Sequence, residues 1–87
     1  MIERRIKGRV VDCDDTLDDF FFTLLLEGDD KGRRVSAHVP RVWRVVCALL
    51  RLAWLKDYTV SMIATYEERN GEMLVYKARG FKVEDDK

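Results

Sequence analysis

Glutamine is absent from this chain, and His38, Pro40 and Asn70 are each the sole residue of their kind. The near-loss of thermolabile amides, set beside dense mixed charge, is the composition of a thermophile protein. With one proline and five glycines spread over 87 residues there is no linker and no low-complexity tract, so the chain reads as one domain over 1–87, with 84–87 a solvated acidic tail. Folding at this length buries only roughly 60 to 65% of the unfolded surface, which leaves a thin core. The two cysteines, Cys13 and Cys47, are too few for a disulfide scaffold and lack CxxC spacing. Without a secretory pattern, they are expected to be reduced thiols of a cytoplasmic protein. Net charge is missing too: sixteen basic and sixteen acidic side chains cancel. That removes the broad positive field of a dedicated nucleic-acid binder, so any such binding must rest on local charge.

Catalytic and cofactor signatures are missing as well. Neither GxGxxG nor GxxxxGK[ST] occurs, because GDDKG at 28–32 has the wrong spacing and no helix behind it. Ser36 and His38 share a strand face, but nothing marks a third orienting group or an oxyanion site. DCDDTLDD, Asp12 to Asp19, lacks the DxDxDG register and trailing Glu of a calcium loop. The cysteines have no partner at zinc spacing. The sequence therefore points to a non-enzyme with no cofactor, no metal and no small-molecule substrate. PRVWRVVCALLRLAWLK, 40–56, is shorter than the ~20 residues a membrane helix needs and contains three arginines. No membrane partner is expected.

What is present is a succession of periodicities. Residues 4–12 alternate as a strand with Ile6, Gly8 and Val10 on one face, the glycine marking a bend or close approach of another backbone. Asp12 to Asp19 reads as an acidic loop. Residues 20–27 form a second strand with Phe20, Phe22, Leu24 and Leu26 inward, and Phe21, Thr23 and Leu25 outward. GDDKG makes a hairpin turn. RRVSAHV, 33–39, gives a third strand with Val35, Ala37 and Val39 inward, ended by Pro40, whose fixed angle suits the first turn of a helix. A helix follows from Arg41 to about Leu55. Residues 58–66 are a strand, 67–71 a turn, and 72–83 a last strand with Gly80 as a bulge.

The order strand, strand, strand, helix, strand, strand, with Gly8 in a long first strand, resembles the OB-fold, a five-stranded Greek-key barrel with one helix. An SH3-like barrel or another small α+β fold remains an alternative. The resemblance implies a binding surface on the outer face of the second and third strands. In this chain that surface comprises Lys7, Arg9, Phe21, Arg34, Ser36 and His38. An exposed ring gives a base a stacking platform worth ~1 to 3 kcal/mol, and the cations hold phosphates. Asp12, Asp14, Asp15, Asp18, Asp19, Glu67, Glu68 and Glu72, offset by Arg69, would oppose a polyanion there, and Phe21 with Leu25 has the plain alternative of packing under a loop. The resulting expectation is an accessory module of a nucleic-acid-handling complex with weak single-stranded DNA or RNA contact.

The helix suggests a second role. A barrel plug needs one apolar face of ~100°, yet here Val42, Val46, Leu49 and Ala53 make one face while Trp43, Cys47, Leu50 and Trp54 make another. Only one fits the barrel end. The other is covered by the chain's own termini or serves as an interface with a protein partner or a second copy. The rival function is accordingly an assembly module acting through the helix and the acidic loops.

Overall fold

The computed structural model describes residues 1–28 and 31–84. The element order is β1 (Ile2–Asp15), β2 (Asp19–Leu26), β3 (Arg34–Pro40), α1 (Arg44–Lys56), β4 (Thr59–Arg69) and β5 (Glu72–Glu84). The strands form one antiparallel sheet, ordered β3-β2-β1-β4-β5, curled into a half-barrel around the core. Because every pairing is antiparallel, β3 and β5 both run parallel to β1 and hence to each other. They pack side by side at the open seam, with no ladder between them among the described residues. Arg33 bridges the seam at one end, its guanidinium donating to Glu68 (2.9 Å) and to the Gly71 carbonyl (3.0 Å). No helix among the described residues is long and apolar enough to cross a membrane.

Period-2 alternation explains the core. Ile6 and Val10 of β1, Phe20, Phe22, Leu24 and Leu26 of β2, and Val35, Ala37 and Val39 of β3 are all buried. Each fully buried Leu or Phe contributes about 1.5 to 3 kcal/mol. Gly8 allows β1 and β2 to approach: a Cβ there would lie 2.5 Å from the Leu25 carbonyl oxygen. Asn70 and Gly71, at φ 53° and 81°, make the two-residue β4–β5 turn, tighter than the expected turn over 67–71, because both can adopt the positive angles that a twisted hairpin requires. The expected GDDKG turn and EDDK tail fall partly outside the described residues. Among those described, Gly32 N–H donates to the Leu26 carbonyl at 3.2 Å.

Three expectations are corrected. DCDDTLDD is mainly strand, since β1 runs to Asp15 and only Thr16–Asp18 turn before β2. A bulge between Val10 and Asp12 shifts the register there. It sends Asp12 and Asp14 outward beside Thr23 and Phe21, and brings Cys13 and Asp15 to the inner face opposite Phe22 and Phe20. Pro40 ends β3 as expected, but the helix begins at Arg44 and not at Arg41. On an edge strand the proline's missing N–H costs no ladder bond, and a turn closed by Trp43 N–H to the Pro40 carbonyl (3.0 Å) precedes α1. The helix also does not divide into the two expected faces: Leu50 and Ala53 are in the core, with Val46 and Cys47 packed against it. Leu50, only 1% exposed, is therefore no interface residue.

Gly80 does mark a bulge. Ser61 pairs with Lys82 but Ile63 with Arg79, and a second shift falls where Thr65 pairs with Lys77 and Tyr66 with Val75. β5 thus changes phase twice, burying Met73 and Ala78 while half-burying Val75, Phe81 and Val83.

Candidate nucleic-acid interface

Strand register arranges the outer face of β1, β2 and β3 in rows: Arg9, Leu25 and Arg34, then Asp12, Thr23 and Ser36, then Asp14, Phe21 and His38. Phe21 is 40% exposed. Its ring meets the His38 imidazole at a centroid distance of 5.6 Å, tilted by 42°. The Ser36 and Thr23 hydroxyls share a hydrogen bond of 3.2 Å. Ser36 is thus tied to its cross-strand neighbour and His38 to an aromatic ring.

Arg9 shares a row with Arg34, but it and Lys7 are engaged elsewhere. Lys7 Nζ lies 3.5 Å from Glu84 and Arg9 donates to Asp57 at 2.9 Å, so both already face a carboxylate. Arg34 has no ion-pair partner among the described residues. Of the residues predicted for the outer face, the structure brings together Phe21, Arg34, Ser36 and His38, and turns Lys7 and Arg9 to local ion pairs.

The outer face continues over the seam. A cleft of about 370 Å³ is lined by His38, Pro40, Trp43, Tyr76, Lys77, Ala78 and Arg79, and a neighbouring one of about 380 Å³ by Arg34, Ser36 and the first residues of β5. Trp43 and Tyr76 are each 44% exposed. Together with Phe21 and His38 they make a run of four rings from β2 across β3 to β5. Lys77 has no ion-pair partner among the described residues, and Arg79 donates to Glu3 at 3.0 Å.

Local chemistry holds the two newly found rings. Trp43 occupies the helix N-cap without any side-chain capping bond. Ser, Thr, Asp or Asn there would add about 1 kcal/mol, so the tryptophan sits where it weakens the helix, a local cost of the kind functional positions carry. The Tyr76 hydroxyl donates to Glu67 at 2.7 Å, and Arg69 reaches the same carboxylate at 3.3 Å. The hydrogen bond from Tyr76 holds the Glu67 carboxyl below its ordinary range, and the same bond pushes the phenol up. The ring is thereby anchored beside the cleft.

The acidic flanks are less hostile than their count in the sequence. Asp15 faces Arg41 at 3.1 Å and also pairs with Arg51, whose guanidinium lies over the Phe20 ring. Glu67 and Glu68 are taken by Arg69 and Arg33. Asp12 and Asp14, beside Thr23 and Phe21, and Glu72, lining the second cleft, keep an opposing charge. The alternating strand faces separate the aspartates of DCDDTLDD.

Tyr76, Lys77 and Arg79 are missed by sequence reasoning because two bulges hide the phase of β5. Trp43 is legible as an aromatic residue but reads as part of a helix face. Its neighbourhood to Pro40, the end of the third strand, is the signal that could have placed it near His38. Comparison with protein-family models, with curated proteins and with solved structures finds no match.

Proposed function

We propose that this chain is a non-catalytic OB-type module that holds single-stranded DNA or RNA weakly across the β3–β5 seam, as an accessory part of a nucleic-acid-handling assembly in a reducing cytoplasm. The observation that carries this reading is the run of exposed rings, Phe21, His38, Trp43 and Tyr76, bordered by Arg34 and Lys77. The Greek-key OB assignment is supported by the helix between β3 and β4 and by the parallel approach of β3 to β5.

Stacking on each of two or three rings contributes about 1 to 3 kcal/mol and tolerates any base. Arg34 and Lys77, which have no ion-pair partner among the described residues, add electrostatic attraction, while Asp12, Asp14, Glu72 and the zero net charge subtract from it. The balance gives weak binding that fades with salt. The test is a fluorescence-anisotropy titration of a labelled oligonucleotide of about 12 nucleotides at low salt. Saturable binding that weakens about tenfold in Phe21→Ala supports the proposal. Absence of binding, or binding that Phe21→Ala leaves unchanged, contradicts it.

A further inference from the structure

The outward side of α1 carries a second apolar surface, of different chemistry. Val45 (74% exposed), Leu52 (43%) and Leu55 (78%) lie with exposed Ala48 at spacings of three, four and three residues. This is the a/d repeat of a helix-pairing seam, running ~15 Å along the helix. These residues lie opposite Val46, Leu50 and Ala53 on the helical wheel, so packing α1 onto the barrel leaves them open. On one side the seam continues into a cleft of about 550 Å³ between α1 and the β1–β2 turn, where Leu17 and Val42 add exposed apolar surface beside Arg44.

Charge identifies what fits. No acidic residue occurs between Arg44 and Lys56. Arg44 and Arg51 flank the seam on one side and Lys56 on the other. Arg51 is held by Asp15, whereas Arg44 and Lys56 have no ion-pair partner among the described residues. Pairing with a second copy fails on these positions. Antiparallel packing sets arginine against arginine across the seam, and parallel packing sets Arg51 against Lys56, both repulsive. A helix carrying Asp or Glu beside its apolar positions meets the same residues with opposite charge.

We infer that the outward face of α1 is a docking surface for an amphipathic helix of a partner protein whose apolar stripe is flanked by acidic residues. This surface is separate from the ring-lined cleft and does not depend on the nucleic-acid reading.

The test uses the full chain and a designed, labelled peptide of about 18 residues with Leu at its a and d positions and Glu at e and g. A control peptide has Lys in place of every Glu. The Glu peptide is expected to bind, to lose at least about tenfold in affinity to Leu52→Glu and to Leu55→Glu, and to bind more weakly as salt rises from about 0.05 to 0.5 M. The Lys peptide is expected not to bind. Both variants alter exposed side chains, and circular dichroism checks that they fold. No binding of the Glu peptide, equal binding of both peptides, or indifference to both variants would overturn the inference. So would a dimer at about 50 µM that Leu52→Glu dissolves, since the occupant would then be a second copy. Oligonucleotide affinity is expected to be unchanged in Leu52→Glu, so failure here is distinct from failure of the proposed function.

Discussion

Two exposed apolar surfaces among the described residues differ in the kind of carbon they present. The β3–β5 seam exposes rings, Phe21, Trp43 and Tyr76 with His38, whereas the outward side of α1 exposes branched and small aliphatic groups, Val45, Ala48, Leu52 and Leu55. Flat π faces stack on bases regardless of sequence. Aliphatic side chains at helical spacing interdigitate with those of another helix. Both surfaces are bordered by cations, so charge alone does not separate them. The shape of the apolar groups does, and it is the ground on which nucleic acid is proposed for the first surface and a protein helix for the second.

The substitution with the largest expected effect weakens the fold that carries both surfaces. Gly8→Ala forces a Cβ to within 2.5 Å of the Leu25 carbonyl oxygen in the central strand pair. A destabilisation of about 2 to 3 kcal/mol follows, with a fall in Tm of roughly 10 °C or more, read by thermal unfolding. Trp43→Ala breaks only one side of the comparison. Oligonucleotide affinity should fall by about 10- to 100-fold while binding of the Glu-flanked peptide holds. Trp43→Ser sharpens this further, since it should lose the same affinity while the capped helix gains up to about 1 kcal/mol in unfolding measurements.

Smaller effects belong to the cations. Arg34→Ala with Lys77→Ala should reduce low-salt oligonucleotide affinity several-fold and flatten the salt slope by about 0.7 for each cation removed. Lys7→Ala, at a residue already facing Glu84, should change it little. The smallest effect separates neither surface but reports on the packing between them. Burial, then the charge of Asp12, pushes the Cys13 thiol up to about 11 from 9.0. Below pH 9 its thiolate fraction, and with it alkylation by a thiol reagent, should be roughly 10- to 100-fold lower than in unfolded chain. Because the folded-state pKa is raised, this group's stabilising contribution is complete below about pH 9 and is lost as the pH climbs towards 11. Cys13→Ala should remove that part of the alkaline loss of stability.

β2 and β3 were legible because they alternate without interruption. Phe20, Phe22, Leu24, Val35 and Val39 announce a buried face, and Phe21 and His38 fall on the other by parity alone. Gly8 and Gly80 were legible as backbone irregularities. Bulges defeated the rest. The extra residue in β1 turned Asp15 inward to meet Arg41 and Arg51, where the unbroken pattern reads a loose acidic loop. The two shifts in β5 concealed Tyr76, Lys77 and Arg79, because a period-2 reading fails at each inserted residue. The helix was legible in extent to within three residues at its start. Its buried side was obscured by dividing the apolar residues into two faces, although Val46, Leu50 and Ala53 lie opposite the stripe drawn by Arg44 and Arg51 on the helical wheel.

The central claim is that bases stack on the rings at the seam, and Trp43 reports on it directly. Trp54→Phe leaves Trp43 as the only tryptophan, since the chain has two. Titrating that variant with unlabelled oligo(dT) at low salt and following tryptophan emission should give saturable quenching that is reversed by added salt. Emission that stays constant while anisotropy shows the oligonucleotide bound, or no binding at all, would contradict the account.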